Sequence, residues 1–481
     1  MTDFGADPYS PRLSTALVLT GTGADGAYHA GALRALHEAG VKLDVVGGRG
    51  IGAVGALFAA VGGAERLWDD KGFWRAPAVV HLYGWRAAPC AVAWLIALAA
   101  AVVLTPLVAV ALGLVVFPID FLLKMVGGTG APGLVDGYVG FAQAAFASGG
   151  LPTWLPRLAM LLVGGAAVVA CVDGIQSGDR RLRGGWWWRA LRAPFASAPA
   201  AEQTWRAVWD LVRGAAPLAQ PTPADLSCRY SDMLADNLGQ PGFRELLIVV
   251  HDVDAHRDLV FALVEETRRV DLIRRSTTQR AEARRAEVVD LAGVGRGHLV
   301  DAVAAALTVP LATDWHHATF AADAYWRGET HRLCDRPAAL IRLVDELIEV
   351  GVQQIILVAA APPVPGPHAL AKARVDLRSR LGEFLQSAEA AVVRDATTTT
   401  GGVRIFTIRP DHNPIGPFDF GGGYDDRSDR AQPLAESMAR GYEDAYRQFI
   451  EPVVGASGDS VASRRPRVER PSPAARRTER L

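Results

Sequence analysis

Residues 48–52, Gly48-Arg49-Gly50-Ile51-Gly52, have the frame of a nucleophile elbow, Gly-x-Ser-x-Gly, with glycine at its centre. Such a turn joins a strand to a helix and exposes a hydroxyl for attack on an acyl carbon. Gly50 has no side chain and offers no nucleophile. Upstream, Gly21-Thr22-Gly23-Ala24-Asp25-Gly26 follows an apolar run and opens a helical pattern in which Ala32, Leu33, Leu36 and Ala39 share a face. Glycines let a backbone approach a ligand, and N–H groups at a helix start bind a pyrophosphate or an acyl oxyanion.

The pyrophosphate reading asks in addition for an acidic residue at the end of the second strand. Here Asp44 begins that strand and Gly47-Gly48-Arg49 ends it, so the oxyanion reading is the stronger. No second Gly-x-Ser-x-Gly exists, and Ser457 in Gly455-Ala456-Ser457-Gly458 has the wrong spacing.

These paired motifs resemble the patatin-like phospholipase family, densely over residues 17–60 and more loosely over 297–358. The resemblance implies a three-layer α/β/α sandwich with a mainly parallel sheet and a Ser–Asp dyad that hydrolyses lipid acyl esters. Placing Tyr325-Trp326-Arg327-Gly328-Glu329 on the family's aspartate motif puts Arg327 at the acid position. An arginine stays protonated and has no acceptor, so it is no general base. Asp323 is the nearest carboxylate and lacks the following glycine. On this reading no catalytic residue is intact, and the chain is a lipid-binding or scaffolding pseudoenzyme. The alternatives are an acyl hydrolase with another nucleophile and a membrane-anchored interaction module.

Arg49 and Arg327, beside helix starts at Gly26 and Gly52, predict a site for an anionic lipid or fatty acid. Its candidate residues are Gly21, Thr22, Gly23, Ala24, Asp25, Gly26, Arg49, Gly52 and Gly328. The competing expectation is that Asp25 pairs with Arg49 or Arg327 and fills the pocket. No metal or other cofactor is expected. The run His251-Asp252-Val253-Asp254-Ala255-His256, the pair His316-His317 and the group His331, Cys334 and Asp335 match no common ligand pattern.

The elements that position these residues alternate strand and helix, which argues for a mainly parallel sheet covered on both faces. Apolar runs at 15–20, 244–250, 258–264, 354–359 and 403–408 read as strands. Helical patterns occupy 338–350, 369–393 and 433–450, and 274–290 reads as an exposed helix or loop.

Residues 87–119 carry no charge, more than the roughly 20 residues a bilayer span needs. Pro106 and Pro118 are placed to kink or end the helix. A second apolar run, 158–172, makes a hairpin with the first. Lys71, Arg75 and Arg86 precede the pair, and Arg180, Arg181, Arg183, Arg189 and Arg192 follow it. The connection holds only Asp120, Lys124, Asp136 and Arg157. The positive-inside rule then puts both outer flanks in the cytoplasm, at the inner membrane, with tryptophans at 85, 154 and 186–188 in the interface belts. The expected domains are 1–80 and 196–454 as two parts of one patatin-like fold, 81–195 as a membrane insert, and 455–481 as a disordered basic tail. Seven arginines against two glutamates in 461–481 suit an anionic leaflet.

Composition bounds the rest. The 481-residue chain has a net charge of −1, with nothing global that points to nucleic acid. Four scattered cysteines exclude a disulfide framework, and no secretory signal opens the chain, so its beginning is expected in the cytoplasm.

Overall fold

The computed structural model describes residues 9–126, 132–176, 193–274, 287–363, 376–398 and 402–454. The basic tail, Ser457, the tryptophan and arginine cluster of 180–192, most of 274–290 and the start of the 369–393 pattern lie outside them. The chain divides into two compact units, one of Met1–Gly84 with Ser197–Leu481, the other of Trp85–Ala196.

In the first unit the strands are β1 (Thr15–Thr20), β2 (Val45–Gly48), β3 (Glu245–Asp252), β4 (Arg257–Leu263), β5 (Val288–Asp290), β6 (His316–Thr319), β7 (Thr330–Cys334), β8 (Gln354–Ala359) and β9 (Arg404–Ile408), with a small pair β10 (Gly423–Asp425) and β11 (Arg430–Gln432). Its helices are α1 (Asp25–Glu38), α2 (Gly52–Ala60) and α3 (Glu65–Trp68) before the second unit. That unit holds α4 (Ala87–Met125), α5 (Pro132–Ala145) and α6 (Leu151–Gln176). The first unit resumes with α7 (Ala198–Val212), α8 (Pro223–Asn237), α9 (Glu266–Arg274), α10 (Leu299–Ala306), α11 (Ala339–Glu349), α12 (Leu377–Thr398) and α13 (Leu434–Ala445).

The main sheet runs β5-β4-β3-β2-β1-β8-β9. The strands from β3 through β9 are parallel, β4 is antiparallel to β3, and a β6–β7 hairpin joins the end of β3. Continuous burial of β1, β2 and β8 follows from cover on both faces. Alternation divides each strand between two layers. Ala16, Val18, Val45, Leu247, Ile355 and Leu357 pack with Leu340, Leu343 and Leu347 of α11 and Val393 of α12. Leu19 faces the opposite layer, where α2 lies so close that a β-carbon on Gly52 would stand 2.0 Å from the Leu19 carbonyl oxygen. This is the expected α/β/α sandwich.

The β7 register decides the site. Leu246–Leu263 to Asp252–Arg257 pairing fills one edge of β3, while β2 takes the other edge only from Glu245 to Ile248. Past Gly48 that edge is taken by β7, entering antiparallel with His251 opposite Cys334. The residue after Cys334 therefore meets the end of β2 head-on.

The second unit is an antiparallel bundle. Helices α4 and α6 contain 18-residue stretches of mean hydropathy 2.7 and 2.2 and are long and apolar enough to cross a membrane. Both Pro106 and Pro118 lie inside α4, so of the two expected effects, a kink or an end, neither proline ends the helix. The two stems leave side by side: Trp85 bridges Phe195, and the Arg86 N–H donates to the Pro194 carbonyl at 3.0 Å.

Candidate functional site

Gly50 follows β2 in the left-handed region, φ +55°, as the centre of an elbow does. The space a serine would need is taken. A β-carbon on Gly50 would lie 2.1 Å from the Gly21 carbonyl oxygen, which accepts a 3.0 Å hydrogen bond from the Ile51 N–H. The glycine loop has settled onto the elbow where a nucleophile would stand.

Two donors of that loop are engaged within the protein. The Thr22 N–H donates to Asp25 Oδ2 at 2.8 Å, and the Ala24 N–H donates to the Pro417 carbonyl at 2.8 Å. Gly23 has no room for a side chain, since its β-carbon would stand 2.0 Å from that same oxygen. Pro417 belongs to a segment held by Gln386, whose amide donates to the Ile415 carbonyl at 3.2 Å, and by Tyr83 against the rings of Phe418 and Phe420. At the helix starts Gly26 and Gly52 donate to Gly23 and Arg49 carbonyls, in tight turns of 3.3 and 3.0 Å.

Arg49 does not face a ligand. It is fully buried, and its guanidinium donates to Thr20 Oγ1 (2.8 Å), to both oxygens of Asp335 (2.8 Å each) and to Glu389. The Thr20 hydroxyl donates in turn to Glu389. Asp335 caps the end of β7, its N–H bonded to the Thr308 carbonyl at 2.8 Å. Its Oδ2 lies 3.0 Å from where a β-carbon of residue 50 would be. The carboxylate beside the elbow is thus Asp335, in the place the sequence comparison gave to Arg327.

Arg327 and Gly328 occupy the exposed turn between β6 and β7, at φ +44° and +79°. The glycine in Trp326-Arg327-Gly328 imitated the family motif, but that glycine serves the hairpin turn. The chain needs β7 to return to β2, and the acid comes at its end. The expected two-arginine anion site is therefore not formed. Asp25 was expected to neutralise an arginine directly. Instead its carboxylate holds the Thr22 N–H, and Asp335 and Glu389 hold Arg49.

Three buried carboxyls around one guanidinium leave surplus negative charge. Burial pushes Asp25 up to about 7 and Asp335 up to about 6, with Glu389 adding to both and Arg49 opposing. Burial lowers His29, whose Nε2 lies 3.0 Å from the Thr20 carbonyl, to about 4.

The histidine groups are spread over separate hydrogen-bonded His–Asp contacts. His251 pairs with Asp258 (2.8 Å), His331 with Asp252 (2.5 Å), and His298 and His316 share Asp301 (2.8 Å each). Among the described residues no group of three or more His, Cys, Asp or Glu is placed to hold a metal. Sequence reasoning missed Thr20, Glu389 and Pro417. The β-strand run ending at Asp335, followed by Pro337 and a helix, was the one local signal for the acid.

A strand–glycine loop–helix followed by an elbow, on a parallel sheet with an aspartate at the elbow, defines the serine acyl-hydrolase type of α/β sandwich. The patatin-like phospholipase family model matches residues 17–335, and the chain belongs to that family. Over 60 residues it is 56% identical to patatin-like phospholipase domain-containing protein 6 of mouse and of human. That stretch is 12% of this chain and 4% of those relatives' length. A crystal structure of VipD from Legionella pneumophila aligns over 92% of this chain and 67% of its own, with 13% identity and a TM-score of 0.31.

Removing the cation leaves buried carboxylates without a partner, so Arg49→Met should cost about 3–5 kcal/mol in unfolding free energy. A loss below about 1 kcal/mol would contradict the network. The raised Asp25 and Asp335 values have a definite sign. Folding takes up protons, so their contribution is full below the unfolded value near 3.8 and lost as pH rises through 6–7. Stability should fall by on the order of 1 kcal/mol between about pH 6.5 and 8, and Asp25→Asn should flatten that slope. His29 acts in the opposite sense, below its ordinary value of 6.5. Denaturant unfolding at a series of pH values measures this, and an equal slope in the variant refutes it.

Proposed function

We propose that this chain is a membrane-anchored, catalytically silent member of the family, using its α/β unit to bind or scaffold rather than to cut lipid esters. The observation that carries the reading is the Gly21 carbonyl seated 2.1 Å from the missing β-carbon of Gly50. A lost serine alone leaves an empty site, whereas here the loop fills it. The acid that would complete a dyad is bound by both its oxygens to Arg49. Both oxygens of that carboxylate are engaged in holding the buried guanidinium.

The membrane part of the reading rests on α4 and α6, which are almost wholly exposed along their apolar lengths. Leu107, Leu114, Phe121 and Met160 are each more than 60% exposed, and water would not tolerate so continuous a patch. The adjoining stems at Trp85 and Phe195 support an even number of crossings. Arginines on both flanks favour the cytoplasmic side of the inner membrane for the α/β unit.

Restoring the serine is the sharpest test. Gly50→Ser should show no phospholipid or p-nitrophenyl ester turnover above the natural chain, and should lose about 1–3 kcal/mol through overpacking. Turnover gained by that single change would sink the proposal. For topology, Gly133→Cys lies in the connection, where a β-carbon meets nothing within 4 Å. A membrane-impermeant maleimide added to intact cells should label this variant and leave the natural cysteines unlabelled. The reverse pattern would place the α/β unit outside.

A further inference from the structure

Tyr83 ties two distant segments of the α/β unit together. Its hydroxyl donates to the Leu307 carbonyl at 2.7 Å, and its own carbonyl accepts from Arg378 Nη2 at 2.9 Å. Ala87, where the uncharged run and α4 begin, is only four residues further along the chain. That link spans at most about 14 Å when fully extended. On the membrane reading the run enters the bilayer just after Trp85 and Arg86, residues suited to the interface. The turn after Leu307 and the start of α12 are therefore held near lipid headgroups by chain length alone.

Both segments carry apolar side chains that the α/β unit leaves uncovered. Leu311, 75% exposed, and Phe384, 68% exposed, are the two most exposed large apolar side chains of that unit among the described residues. Leu311 also lies in the left-handed region, φ +66°, which a leucine rarely adopts. Thr313 fixes this turn. Its N–H donates to the Val309 carbonyl at 2.9 Å, and its hydroxyl accepts from the Val309 N–H at 2.9 Å. Leu311 is thus held at the tip of an ordered turn with its side chain outward.

Helix α12 buries one face, Gly382, Leu385, Glu389 and Val393, and Arg378 on that side reaches Tyr83. Beside it runs a second apolar stripe: Leu377, Leu381, Phe384, Ala388 and Ala391, spaced alternately four and three residues apart. Such spacing marks a helix face built to be covered, yet every member is at least partly exposed. Val80, three residues before Tyr83, is half-exposed as well.

Resting on the membrane reading above, we propose that the α12 stripe around Phe384, together with Leu311 and Val80, docks on the lipid surface that α4 enters. The occupant is lipid because the tether at Tyr83 keeps these side chains within reach of the headgroups. Apolar faces of interfacial helices sink about 5–10 Å into the headgroup and acyl boundary, a depth that leucine and phenylalanine side chains can fill. The α/β unit then holds the leaflet by its own surface, in addition to its covalent anchor.

The photoreactive residue p-benzoylphenylalanine is placed, one position at a time, at Leu107, Leu311, Phe384 and Thr397 of the full chain. All four positions are exposed, so the probe fits without repacking. The chain is reconstituted in vesicles of phosphatidylethanolamine and alkyne-tagged phosphatidylglycerol. Light should attach lipid at Leu107 of α4, at Leu311 and at Phe384. Thr397 should carry none, since it lies on α12 roughly 20 Å beyond Phe384. Lipid at Leu107 with none at Leu311 or none at Phe384 overturns the docking surface and leaves the membrane reading standing. Lipid at none of the four refutes the membrane reading, and the docking surface with it. Equal lipid capture at Thr397 would also overturn the proposal, as would chain-to-chain adducts in place of lipid at Leu311 and Phe384.

Discussion

A guanidinium with no solvent exposure is tolerable only where its nitrogens find acceptors, and each of the three nitrogens of Arg49 does so, through Thr20, Asp335 and Glu389. Those three acceptors come from the ends of β1 and β7 and the middle of α12. Satisfying one side chain therefore gathers three distant parts of the chain at the end of β2. The contact is also exacting in charge, since Asp25 stands close enough to add a third carboxyl. Protons, rather than a second cation, balance the excess, as the raised Asp25 and Asp335 values express.

The state of the glycine loop follows from the same crowding. With Arg49 drawn inward and no β-carbon on Gly50, the Gly21 carbonyl comes down on the elbow and binds the Ile51 N–H. Two of that loop's donors, the Thr22 and Ala24 N–H groups, are bound by Asp25 and by Pro417. Pro417 lies beyond residues 17–335, so the closing piece comes from outside the stretch that the family model matches. On the proposed reading, the glycine at the elbow, the engaged acid and the closed loop act together. A single reversion leaves the other two in place.

How much of this was legible follows the range of the interactions. Strands β1, β2 and β8, the elbow and the two apolar helices announce themselves through periodicity and glycine placement within a few residues. The identity of the acid did not, because it depends on which edge of β3 receives β7. A glycine in a hairpin turn was a better local match than an aspartate at a strand end. Glu389 reaches Arg49 from 340 residues away, and Pro417 acts through its carbonyl, which sequence type does not encode. In the second unit α5 went unseen, since Pro132–Ala145 is short and only weakly two-faced, and its partner face is a stripe at Val135, Tyr138 and Ala142.

The closed elbow is proposed to be chemically silent in the natural protein. The most direct measurement is the intact mass of the purified full-length chain after incubation with a fluorophosphonate, beside a known serine hydrolase as control. An unmodified mass is expected for this chain while the control gains one adduct. A stoichiometric adduct, mapped by peptide to any residue of the α/β unit, would show a live nucleophile and contradict it.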